Sequence, residues 1–172
     1  GLIIDASKNL NRILEIDHEK GEARVEPGLV LDQLNAQLKR HGLFFPVDVS
    51  TSSRATLGGM TGNNSCGARS IRYGKMVDNV LGVEALLQNG EKIQFGEVDP
   101  KSLNGKHRST RDHLLQQLFQ IGIREADEVR QRFPEVQRRV GGYNIDELIP
   151  PDHGVLNPAR LLVGSEGTLA FS

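Results

Sequence analysis

Residues 58–67 read Gly-Gly-Met-Thr-Gly-Asn-Asn-Ser-Cys-Gly, and four of the ten are glycine. Glycine lets a backbone approach a ligand closely, and the N–H groups so exposed can bind an anion such as a pyrophosphate. Thr56, Thr61, Ser65 and the pair Asn63-Asn64 add side-chain donors at short range. The pattern is not a Walker loop, because no Gly-Lys-Ser or Gly-Lys-Thr follows Gly62 or Gly67. Nor is it a Rossmann fingerprint: Gly58-Gly59-x-x-Gly62 has the wrong spacing and no continuous strand precedes it. Alone, the loop reads equally as an anion cradle and as a glycine-rich surface loop that binds nothing. A second cluster, Gly164-Ser165-Glu166-Gly167-Thr168, separates an apolar run from a final strand, and its simplest reading is a tight turn.

Other chemistry has poor residue sets. The five histidines, His18, His41, His107, His113 and His153, show no H-x-H or H-E-x-x-H spacing and no companion cysteines, so no metal site is expected. There is no G-x-S-x-G elbow. Cys66 is better read as a small residue filling a tight loop than as a nucleophile or a covalent cofactor anchor. Arg54 and the pair Arg138-Arg139 are candidate phosphate partners, and for the pair surface arginines are the better reading. No catalytic residue is identified.

The elements that must position the glycine loop follow from periodicity. Leu2-Ile3-Ile4 reads as a short buried strand. Arg12–Asp17 and Glu22–Glu26 form a hairpin around His18-Glu19-Lys20-Gly21, with Leu14, Ile16, Ala23 and Val25 on the apolar side. Leu31, Leu34 and Leu38 mark a helix over 29–41, with Gly42 as its left-handed cap. Residues 46–74 have no period and read as an ordered functional loop. Val80–Gln88, Asn89-Gly90 and Glu91–Phe95 read as a second hairpin. Residues 97–108 are linker-like, and 110–132 predict a helix capped by Ser109 and Asp112, with Leu114, Leu115, Leu118, Phe119 and Ile123 inward. Hairpins mixed with two separated helices predict an α+β fold.

Composition bounds the partners. The chain has 172 residues, 37% hydrophobic and 25% charged, enough to fold around a core. Lys plus Arg (21) nearly balances Asp plus Glu (22), and aromatics are 5%, so no nucleic-acid partner is expected. One cysteine gives no support for a disulfide-forming compartment. No apolar run approaches the ~20 residues of a transmembrane segment, and GLIIDAS has no basic leader, so a cytoplasmic or membrane-peripheral location is expected. A start at Gly1 and an end in Thr168–Ser172, a strand cut short, suggest a fragment.

The order of motifs carries more than any one of them. Phe45-Pro46-Val47-Asp48, Ala55-Thr56-Leu57-Gly58-Gly59, Asn64-Ser65-Cys66-Gly67-Ala68, Arg72-Tyr73-Gly74, Asp78–Glu84, Gly142-Tyr143-Asn144 and Leu162–Leu169 follow one another. The set resembles the FAD-linked oxidases with the vanillyl-alcohol-oxidase (PCMH-type) flavin domain. It is most similar to the D-2-hydroxyacid dehydrogenases of the D-lactate, glycolate and D-2-hydroxyglutarate type, and to large bacterial members with an iron–sulfur region further on. Cys66 and Ala170 depart from the alanine and glycine common there.

The resemblance implies a partial flavin domain of two α+β subdomains with FAD between them: a mixed or antiparallel sheet with flanking helices, and an insertion at about 97–140. It implies FAD as cofactor, held by Pro46, Thr56, Leu57, Gly58, Gly59, Thr61, Gly62, Asn63, Asn64, Ser65, Gly67, Glu166 and Gly167. Backbone amides at 56–59 would face the pyrophosphate, Gly62–Gly67 the flavin, and Glu166 and Gly167 the other end of the cofactor. It implies oxidation of a small D-2-hydroxy acid to the 2-keto acid by hydride transfer to flavin N5, with the electron acceptor unknown. A further glycine loop is expected before Gly1 and a substrate cap with histidines and any metal after Ser172, so this segment alone is expected to be inactive and to hold FAD weakly or not at all. Two alternatives stay open: a same-fold oxidase of an alditol or sugar lactone, and a non-catalytic nucleotide-binding module.

Overall fold

The computed structural model describes residues 4–104, 109–151 and 154–172. The chain divides into two units, Gly1–Asn79 and Val80–Ser172. His107, His153 and the Leu2-Ile3 part of the expected first strand lie outside the described residues; Ile4 is in no strand and is exposed.

In the first unit, β1 (Ile13–Asp17) pairs antiparallel with β2 (Glu22–Val25). The register shifts between Ile13 and Glu15, and this bulge changes which side chains face inward. Ile13, Ile16 and Val25 pack on the core, whereas Leu14 is exposed, as is Ala23, contrary to strict alternation. Helix α1 (Leu31–Leu38) buries Leu31, Leu34 and Leu38 as its period predicts. A 3₁₀ turn, Lys39–His41, continues it, and Gly42 at φ 70° ends it. Leu29, Leu34, Leu38 and Leu57 form this unit's core cluster.

The stretch 46–74, expected to be irregular, contains two short helices, α2 (Leu57–Gly62) and α3 (Ser70–Tyr73), and a third, α4 (Met76–Asn79), follows it. Their glycine-rich and polar sequences carry no helical period. Side chains make them instead. Thr56 caps α2, Asp78 accepts from Lys75 N, and Asn79 donates to the carbonyls of Tyr73 and Lys75.

In the second unit, β3 (Val83–Leu86) pairs antiparallel with β4 (Lys92–Phe95), and the alternation places Val83, Ala85, Ile93 and Phe95 inward. The turn differs in detail from a two-residue Asn-Gly hairpin. Leu87 N donates to Glu91 O, and only Gly90 takes positive φ, at 84°. The loop is therefore three residues closed by a left-handed glycine. Further bridges join Leu86 to Phe171 and Val98 to Leu156.

Helix α5 (Thr110–Arg132) starts at Ser109, whose hydroxyl accepts from Asp112 N. Leu115, Phe119, Gly122, Ala126 and Val129 are buried, a 4-3-4-3 stripe. Ile123, expected inward, is 48% exposed. Gly122 replaces it at the contact, where an added Cβ would lie 1.8 Å from Leu148 O. Helix α6 (Ala159–Leu162) completes the cluster with Ala159 and Leu162. Two antiparallel pairs with these helices make an α+β architecture.

Candidate cofactor-binding loops

The glycine loop rests on a frame that begins at Arg12. The Arg12 guanidinium and backbone N–H all reach the Glu26 carboxylate, with contacts from 2.7 to 3.2 Å. Those bonds, the guanidinium's foremost, hold the Glu26 carboxyl below the usual glutamate range and raise Arg12 correspondingly. This fixes the end of β2, and the next carbonyls then receive α2. Gly58 N donates to Pro27 O at 2.7 Å and Leu57 N to Leu29 O at 2.8 Å. Gly59 N reaches Thr56 Oγ1 at 3.3 Å.

This geometry redistributes the expected roles. The amides of Leu57 and Gly58, anticipated at a pyrophosphate, are committed inside the protein. Two glycines are explained by protein contacts: a Cβ at Gly58 would lie 2.5 Å from Pro27 Cβ, and one at Gly67 would lie 1.6 Å from Asp48 O. Thr61 Oγ1 donates to Leu57 O at 2.8 Å, and Ser65 Oγ donates to Asn63 Oδ1 at 2.6 Å. Thr56, Pro46, Gly62 and Ser65 are half-buried, while Gly59 and Asn63 are exposed.

Asn64 stands apart. It is 1% exposed, at φ 50°. Its Oδ1 accepts from Val77 N at 3.0 Å, which ties the loop to α4, and Met76 N donates to Ser65 O beside it. That bond fixes the amide's orientation and leaves Nδ2 buried with no partner. A buried amide donor left unpaired costs about 1–3 kcal/mol. A cofactor rich in hydrogen-bond acceptors, as FAD is, fits such a donor.

Asp48 shapes the loop without having been singled out as a site residue. Its carboxylate accepts from Arg69 N at 2.9 Å, and Ser70 Oγ accepts from Gly67 N at 3.0 Å. The signal available in sequence was only that an Asp and a Ser flank the glycines.

In the second unit, Gly164, Glu166 and Gly167 take φ of 83°, 50° and 74°. Glu166, Gly167 and Thr168 are exposed, and Ser165 is buried beneath them. Asn144, 2% exposed, donates Nδ2 to Val163 O at 2.8 Å and to Arg160 O at 3.2 Å. Tyr143 and Asn144 were visible as a motif but had no role in sequence. Among the described residues, no three His, Cys, Asp or Glu side chains gather as a metal site, and no helix is long and apolar enough to cross a membrane.

Known proteins resemble this chain in sequence. A family model described as FAD binding domain matches residues 1–96. D-2-hydroxyglutarate dehydrogenase of Escherichia coli K12 is 39% identical over 173 residues, covering 99% of this chain and 17% of that protein. The Pantoea ananatis protein of the same name is 42% identical with the same coverage. The glycolate oxidase subunit GlcD of Bacillus subtilis is 41% identical over 99 residues, 57% of this chain and 21% of that protein. The chain thus spans about a sixth of the length of the D-2-hydroxyglutarate dehydrogenases it matches. With its glycine loop inside the matched stretch and a buried, unpaired amide donor at the loop's centre, the chain belongs to the FAD-binding domain family.

Proposed function

We propose that this chain is the cofactor-holding part of an FAD-dependent dehydrogenase that oxidises a D-2-hydroxy acid, D-2-hydroxyglutarate foremost, to the 2-keto acid. The observation that carries the cofactor assignment is the buried, unpartnered Nδ2 of Asn64. The substrate rests on the relatives aligned over 99% of the chain, α5 included, which bear the name D-2-hydroxyglutarate dehydrogenase. Those named for glycolate and D-lactate align over 57% and 61% of it. Residues 97–140 are then an insertion within the flavin domain.

Bound FAD supplies the acceptor for the Cα hydride, while the hydroxyl proton leaves to a base. The residues of this chain bind and orient. Asn64 donates its amide to the cofactor, with the exposed Gly59 and Asn63 beside it in the loop. Thr56, Leu57, Gly58, Thr61, Ser65 and Gly67 shape the loop more than they donate, since their polar groups or close approaches are directed to the protein, and Gly62 closes α2 between them. Pro46, Glu166 and Gly167 complete the set assigned to the cofactor, the last two in the exposed second turn.

The test uses the full-length protein stripped of flavin and titrated with FAD, read by flavin fluorescence. Wild type binds stoichiometrically. Asn64→Asp keeps the acceptor for Val77 N but loses the donor, and binds about tenfold weaker or worse. Anaerobic mixing with D-2-hydroxyglutarate, D-lactate and glycolate then bleaches the flavin fastest with the first. Equal FAD affinity in Asn64→Asp, or no bleaching by any of the three, would sink the proposal.

A further inference from the structure

The 164–168 turn is costly to hold in shape. Glu166 carries a side chain at φ 50°, a conformation that disfavours L-residues by about 1–2 kcal/mol. Two sets of bonds hold it. At the base, Asn144 takes the carbonyls of Arg160 and Val163, and Ser165 N donates to Leu162 O. At the tip, Thr168 N and Oγ1 both donate to Ser165 O, at 2.9 and 2.5 Å.

The Thr168 hydroxyl has one proton, and it is already donated in the hydrogen bond to Ser165 O. Tyr143 Oη, 2.7 Å from Thr168 Oγ1, must therefore donate. The result is a chain of two bonds, Tyr143 to Thr168 to Ser165, each polarising the other. The residue is 42% exposed, so Tyr143 adds little by burial. Its specific contribution is the hydroxyl on the turn.

We propose that Tyr143 is a positioning residue for FAD: it holds Thr168, and through it the 164–168 turn, in the shape the cofactor meets. This rests on the assignment of Glu166 and Gly167 to the cofactor. A turn fixed before binding spares the ordering cost that a loose turn incurs on binding.

The full-length apo-protein is titrated with FAD in wild type, Tyr143→Phe, Thr168→Val, Thr168→Ser and the double variant Tyr143→Phe/Thr168→Val. Tyr143→Phe and Thr168→Val weaken FAD binding about three- to tenfold. Thr168→Ser retains the hydroxyl and restores near wild-type binding. The double variant is no weaker than the weaker single variant, because both substitutions break one chain. Visible circular dichroism of the bound flavin changes in Tyr143→Phe, while its melting temperature stays within about 4 °C of wild type. Wild-type affinity in Tyr143→Phe, or losses that multiply in the double variant, would overturn the inference. Should Thr168→Val fail to fold, Tyr143→Phe and Thr168→Ser decide the matter. A wild type that binds no FAD rejects the underlying cofactor reading; binding that ignores Tyr143 rejects only this inference.

Discussion

At the scale of single residues, the frame under the glycine loop depends on one ion pair whose charges are unequally exposed. The Arg12 side chain is 72% exposed and that of Glu26 only 10%. Its hydrogen bonds from Arg12 depress the Glu26 pKa in the folded state. The carboxylate therefore contributes stability above the ordinary glutamate range, and that contribution is lost as pH falls through the depressed folded value. Glu26→Gln should lower the melting temperature near neutral pH, and the gap from wild type should narrow as pH falls below the ordinary glutamate range. A gap constant from about pH 7 to pH 3 would contradict this assignment of charge. Asn64 shows why the site was only partly legible at this scale. Sequence placed it among donors, but no spacing rule says that one of two adjacent asparagines is buried and left-handed.

At the scale of elements, legibility followed the strength of the period. Helix α1 announced itself through Leu31, Leu34 and Leu38, because three large residues on one face outweigh everything between them. Both hairpins were visible, but a bulge reset β1 and turned Leu14 outward. In α5 the inward face runs through Gly122 and Ala126, which carry almost no hydrophobic signal, so the sequence pattern points to Ile123 instead. Helices α2, α3 and α4 were invisible because capping side chains build them. The packing at Gly122 has a testable sign. Ala for Gly in an ordinary mid-helix position gains about 1 kcal/mol. Here the new methyl would meet Leu148 O at 1.8 Å, and overpacking costs about 1–3 kcal/mol or more. Gly122→Ala should therefore lower the urea midpoint, while Gly141→Ala, with nothing within 4 Å and no positive φ, should shift stability by less than about 0.5 kcal/mol. A stabilised Gly122→Ala would show that α5 does not pack against 145–148 as described.

At the scale of the whole molecule, near-balanced charge and the motif order are readable from composition and sequence, and the resemblance implies two subdomains, but nothing in the sequence marks the boundary between Asn79 and Val80. Each unit carries its own apolar cluster, one built on α1 and one on α5 with β3 and β4. Among the described residues both sheets have two strands. In such a sheet half of each strand's amides point away from the partner, and a lone hairpin is marginal without packing. Over time in heavy water, the sheets should therefore be the leaky part of the molecule. Deuterium should enter β1 and β2 early, and the last amides to exchange should lie on α5 between Leu115 and Ala126, where the buried stripe runs. Mass spectrometry of pepsin fragments would read this order directly, and slower exchange in β1–β2 than in α5 would refute it. The slow clock of this α+β domain is then a helix, although strands more often fill that place.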